Sequence, residues 1–225
     1  RYPLVTGVQT CALPIYTELT DHADRTWWVN KGNEYVDEVH SVSGNNYMVD
    51  FSPGFDANGV TNGYIWYEVN GGRQDYMNTY EHCREVTIEL SATKLIPASQ
   101  FQNHWDYNKQ ALLNYMKETY IGVHGIVTDA CTGQGIKAKV FANNHDVDSS
   151  HVYASLPLGN YYRPIAPGSY SFTFSAPGYQ SQTFSAVNIA AGASVELMVA
   201  LQPLAPAASF LADAGSSCGS AVQFT

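Results

Sequence analysis

The chain has 225 residues, 45% of them apolar and 13% aromatic, enough for a buried core and for one or two domains. Its formal net charge of −9 argues against nucleic acid or an anionic membrane surface as a partner. No apolar run approaches the ~20 residues of a membrane span, and the four cysteines, Cys11, Cys83, Cys131 and Cys218, stand in separate segments that define no disulfide framework.

Residues 5–15 read, at every position, as the translation of a common sequencing adaptor. Residues 1–15 are therefore expected to be an assembly scar outside the fold. Residues 25–40 place Trp28, Val29, Tyr35, Val36 and Val39 at loosely helical spacing, interrupted at Gly32. Residues 44–63 are rich in Gly, Asn and Pro and read as a long loop, a feature uncommon without a function. Residues 64–69 read as a strand that runs into a turn at Gly71 and Gly72. Residues 85–91 alternate, with Val86, Ile88 and Leu90 on one face and Thr87 and Glu89 on the other. Residues 99–120 read as a helix whose apolar stripe is Leu112, Leu113, Met116 and Tyr120.

At Gly122 the pattern changes to short β-prone runs, 123–128, 136–142, 161–165, 169–175, 182–189 and 194–201, separated by Gly, Pro and Asn turn signals. That spacing points to an all-β sandwich. Residues 202–208 form a Pro/Ala linker, and residues 209–225 are too few to bury a core of their own.

Within about 25 residues the chain carries Tyr67, the run Gly71-Gly72-Arg73-Gln74-Asp75-Tyr76, and the strand Thr87-Ile88-Glu89-Leu90. This order resembles the second half of the active site of the zinc metallocarboxypeptidases, in the branch of carboxypeptidases D, E, M and N. The runs 122–133 and 167–179 resemble the transthyretin-like domain that follows the catalytic domain in that branch. Residues 209–225 resemble the start of a PKD-type β-domain. The resemblance implies an α/β region at 16–121, part of a mixed carboxypeptidase sheet with its helices. It implies next an all-β transthyretin-like sandwich at 122–201, then the linker and a truncated third domain.

The resemblance also assigns roles. Glu89 is the catalytic carboxylate, a general base towards water and then a general acid towards the leaving amine. Tyr67 is the mobile phenol that closes over substrate, suited to it as both donor and acceptor. Gln74 lines the side-chain specificity pocket. Arg73 is expected to face solvent and Glu85 to be structural. Zinc is implied for the intact parent, but its family ligands, a His-x-x-Glu pair and a later His, would precede this stretch, so the chain itself is expected to be inactive. The substrate would be a peptide or protein C-terminus, and the setting secreted or periplasmic. The alternative is a non-catalytic pseudo-peptidase whose sandwich modules bind peptide or glycan.

Two further patterns hold metal-type atoms. His82-Cys83-Arg84-Glu85 spells His-x-x-Glu out of the family's order, and in an extended chain its ends point to opposite faces. The run with His145, Asp146, Asp148 and His151 falls among turn signals and reads as a solvated loop.

Overall fold

The computed structural model describes residues 7–10, 22–44, 46–49, 59–62 and 72–205. Its first part is a small mixed sheet with helices against it. Strand β1 (Gly7–Thr10) runs parallel to β2 (Val60–Asn62) and antiparallel to β3 (Thr87–Glu89). The expectation that residues 1–15 stand outside the fold is thus corrected for Gly7–Thr10. Four extended residues there hydrogen-bond to strands on both sides, and Gly7 lies in register with Glu89. The strand expected at 64–69 lies outside the described residues.

Helix α1 (Arg25–Ser43) buries Trp28, Gly32, Tyr35, Val36 and Val39, the i, i+4, i+7, i+8 and i+11 positions of one face. It does not break at Gly32. A Cβ there would lie 2.8 Å from a Val60 methyl, so the missing side chain is what lets β2 come against the helix. Helix α2 (Arg73–Thr79) follows directly on Gly72, where the sequence had shown only a turn. Helix α3 (Phe101–Lys117) is flanked by single 3-10 turns at Ala98–Gln100 and Glu118–Tyr120.

The packed face of α3 differs from the expected stripe. Asn108 and Ala111 are its buried residues, and Tyr107, Leu112 and Tyr115 pack beside them. Leu113, Met116 and Tyr120 are exposed. The reason is a buried polar network. Asn108 accepts from the Tyr35 hydroxyl at 2.9 Å and donates to the Tyr47 hydroxyl at 2.9 Å and to the His104 carbonyl at 2.8 Å. A satisfied buried amide fixes this face against α1, and a hydropathy pattern registers Asn108 as polar.

Gly122 opens the sandwich. In one sheet β4 (Gly122–Asp129) pairs antiparallel with β7 (Asn160–Arg163) and parallel with both β10 (Ser194–Glu196) and β11 (Val199–Leu201). The other sheet is antiparallel in the order β6 (Val152–Tyr153), β5 (Lys139–Ala142), β8 (Gly168–Ser175), β9 (Gln182–Ile189). The core between them holds Val123, Val127, Val140, Tyr161, Phe172, Phe174, Ile189 and Leu201. The expected fold class, α/β followed by all-β, is what the structure shows. The single run expected at 194–201 is split, because Leu197 turns its carbonyl against Gly125, where a Cβ would sit 2.0 Å away, and accepts there from the Tyr161 hydroxyl.

Gly159 precedes β7 with φ +76°, and a Cβ would lie 2.1 Å from the Val127 carbonyl oxygen. Gly133 has a similar φ of +71° with open space around it. Gly133→Ala is expected to cost only the left-handed backbone term, about 1 kcal/mol. Gly159→Ala is expected to cost at least about 2 kcal/mol more, because backbone itself must move. Denaturant unfolding of the two variants checks the difference.

Candidate active site and the joint beside it

Glu89 closes β3 with its side chain half-buried, and burial pushes its carboxyl above the usual glutamate range. A carboxyl that holds a proton more readily than usual is suited to accept one and return it near neutral pH. The strand is anchored immediately after it, where the Tyr47 hydroxyl donates to the Leu90 carbonyl at 2.9 Å.

Gln74 lies in the first turn of α2, half-buried, beside the buried Asp75. Burial raises the Asp75 carboxyl to about 6. A Cβ on Gly72 would come 2.7 Å from Asp75 Oδ2, so this glycine leaves room for the carboxylate to fold back over the helix start. Arg73 is exposed, as expected, and its guanidinium is 3.3 Å from Glu85. Tyr67 lies outside the described residues.

The helix with Gln74 and the segment leading to Glu89 are tied by one side chain that the sequence reading missed. Asn78 is 1% exposed. Its Nδ2 donates to the Gln74 carbonyl at 2.7 Å and the Glu85 carbonyl at 2.8 Å, and its Oδ1 accepts from the Glu85 amide at 3.3 Å. A poor helix former four residues after Gln74 was the available signal. Asn78→Ala leaves those backbone groups buried without this partner and is expected to destabilise the protein by about 1–3 kcal/mol. Asn78→Asp is expected to recover only the bond from the Glu85 amide. Denaturant midpoints of both variants check this.

A second constellation joins the two parts of the molecule. Asp24, 2% exposed, precedes α1. Its carboxylate meets Arg84 Nη2 at 2.7 Å, Arg163 Nη1 at 2.9 Å and His145 Nε2 at 2.8 Å. Arg163, fully buried on β7, also pairs with Asp146, whose other oxygen accepts the Ala142 amide at 2.7 Å. Arg84 Nη2 donates to the Ser150 carbonyl at 2.9 Å. Burial pushes the Asp24 carboxyl up, but Arg163, the hydrogen bond from His145 and Arg84 outweigh it and hold the group well below the usual carboxylate range. Burial, with Arg163 nearby, lowers the Arg84 guanidinium to about 10. Two carboxylates and two guanidiniums therefore balance in a dry site.

The run 145–151 is accordingly no solvated loop. Asp146, Ser150 and His151 are buried, and His145 faces Asp24. Asp24, His145 and Asp146 bring three ligand-type atoms within 4.8 Å of one another, a group found among the described residues. The arrangement does not fit zinc. Arg163 bonds both carboxylates and Asp24 already has three charged or ring partners, so a guanidinium takes the position a metal would need. His82 and Glu85 do not converge either: the His82 ring lies tilted against that of His151 with Nδ1 3.0 Å from the Ser149 carbonyl, and Glu85 turns to Arg73.

Residues 5–111 match the zinc carboxypeptidase family model, and residues 122–202 match that of the carboxypeptidase regulatory-like domain. The chain thus pairs a stretch that matches the zinc carboxypeptidase family model with one that matches the carboxypeptidase regulatory-like domain model, in the order the resemblance implied. Among curated relatives it is similar to carboxypeptidase D of Rattus norvegicus, 36% identical over 64% of this chain and 10% of that protein. It is likewise similar to carboxypeptidase D of Drosophila melanogaster, 37% identical over 65% of this chain and 10% of that protein. The carboxypeptidase N catalytic chain of Mus musculus is 34% identical over 61% of this chain and 29% of that protein. The matched stretch is thus about a tenth of the length of the carboxypeptidase D relatives.

Proposed function

We propose that this chain is the C-terminal portion of a secreted zinc carboxypeptidase that removes residues from peptide C-termini, with its sandwich a transthyretin-like module. The observation that carries the reading is Glu89, a half-buried carboxyl with raised proton affinity at the end of an anchored strand, within a region that matches the zinc carboxypeptidase family. In this reading Glu89 takes a proton from the water that attacks the scissile carbonyl and returns it to the departing amine. Gln74 meets the substrate side chain from the first turn of α2, and Tyr67 bonds the substrate backbone or terminal carboxylate. The described residues offer no set that fits zinc, so no step is assigned to the metal, and the chain by itself is proposed to be inactive.

A second reading is favoured by a separate observation. A cleft of about 860 Å³ lies between the two parts, bordered by Tyr80, His82, Tyr153, Leu156 and Tyr162. An aromatic cleft of that kind suits a non-catalytic module that binds peptide or glycan.

The test joins the upstream metal-binding half of a carboxypeptidase D relative to this chain and assays release of C-terminal residues from peptides. Chelator-sensitive release that falls by at least about 10³-fold in Glu89→Gln is expected. Release that survives Glu89→Gln would contradict the assignment. Hydrolysis by the 225-residue chain alone, abolished by chelator, would contradict its inactivity.

A further inference from the structure

Four of the chain's seven histidines stand at the joint between the two parts: His22 before α1, His82 after α2, and His145 and His151 in the connection from β5 to β6. They are not interchangeable. His145 donates to Asp24, a contact that needs no bare ring nitrogen. His22 and His151 are placed the other way.

His22 is 7% exposed, and its Nδ1 accepts the Asp24 amide at 3.0 Å, which requires an unprotonated nitrogen there. Its Nε2 is buried with no hydrogen-bond partner among the described residues. Arg84 and Arg163 face it as cations, Asp24 and Asp146 as anions, and the Trp28 ring packs edge-on. His151, also 7% exposed, lies against His82 from the peptidase part with ring centroids 4.5 Å apart, and against Tyr153 at 5.2 Å. Lys139 faces it as a cation, the His82 ring lies beside it, Asp146 faces it as the anion, and it has a hydrogen bond to the Asp148 backbone. Its Nδ1 is buried with no hydrogen-bond partner among the described residues.

We propose that His22 and His151 make the joint an acid-operated release, which holds the sandwich on the peptidase part at neutral pH and lets it go as the pH falls towards 5. Protonation of His22 removes the acceptor for the Asp24 amide and adds a third cation beside Arg84 and Arg163. Protonation of His151 sets a cation against His82 and Lys139. Separation returns both rings to water and opens the cleft bordered by Tyr80, His82 and Tyr153.

The direction follows from linkage. Burial first, then Arg84, lowers His22 from 6.5 to about 4; burial, then Lys139 and His82, lowers His151 from 6.5 to about 4. Between those values the separated state binds more protons than the docked state, so docking is complete above about 6.5 and weakens as the pH falls through the window. A histidine that regains its ordinary value of 6.5 on separation weakens docking about 20-fold between pH 7 and pH 5. Asp24 does not oppose this, because its carboxyl stays ionised well below the window.

The test is hydrogen–deuterium exchange of the full chain at pH 7 and pH 5, corrected for the intrinsic pH dependence of exchange. Segments 80–84 and 145–153 are expected to lose at least about 20-fold protection at pH 5 while β8, with the buried Phe172 and Phe174, keeps its own. In His22→Asn/His151→Gln, where an amide oxygen can still accept from Asp24, the loss at pH 5 is expected to disappear. Unchanged joint protection at pH 5 in the natural chain would overturn the proposal. So would simultaneous loss in the joint and β8, which marks global acid unfolding. If the double variant does not fold, Cys83, a free thiol next to His82, supplies the decision. Its labelling by a dipyridyl disulfide, relative to the denatured chain, must rise at pH 5.

Discussion

A carboxylate removed from water is stable only where cations and donors replace its hydration, and Asp24 is such a group. It stands just ahead of α1, yet its partners come from three other places: Arg84 after α2, His145 after β5, and Arg163 on β7. Each partner is then committed elsewhere. Arg163 holds Asp146, Asp146 holds the Ala142 amide, and Arg84 holds the Ser150 carbonyl. Deleting one member leaves the others charged and dry, which costs about 3–5 kcal/mol. The N-terminal α/β part and the sandwich therefore meet in one arrangement, because a shifted one would strand a buried charge.

The same constraint reaches the candidate active site through one short segment. Residues 82–89 carry His82 and Arg84 in the joint at one end and Glu89 at the other. Between them Glu85 is held by Asn78, and the Arg84 carbonyl accepts from the Tyr115 hydroxyl of α3 at 2.8 Å. The strand that presents Glu89 is thus fixed at its start by the joint and at its end by the Tyr47 bond to Leu90. This linkage gives the sandwich a physical route to the carboxylate, since Arg84 of the joint lies five positions before Glu89.

What was legible in the sequence was local. The alternation at 85–91 marked β3, the turn-punctuated runs after Gly122 marked the sandwich strands, and the spacing of Gln74 and Glu89 carried the family resemblance that the comparisons support. What was hidden depended on distant partners. The packed face of α3 is set by Asn108, which meets Tyr35 from 73 positions away. Asp24 finds Arg163 across 139 positions, and nothing in its neighbourhood marks it as buried. The 145–151 run has the composition of a solvated turn, and only the arrival of Arg163 makes it part of a core. Strand β1 was missed for a different reason, because its residues read as a translated adaptor, an origin that says nothing about their capacity to pair.

The central claim is that Asp24 couples the two parts into one folding unit. Equilibrium denaturation at pH 7, followed at once by tryptophan fluorescence, where Trp27 and Trp28 report on α1, and by hydrogen exchange in β8, tests it most directly. The natural chain is expected to give coincident transitions. Asp24→Asn is expected to separate them, with the tryptophan signal lost first and β8 unfolding at its own later midpoint. Coincident transitions in Asp24→Asn, at an unchanged midpoint, would contradict the account.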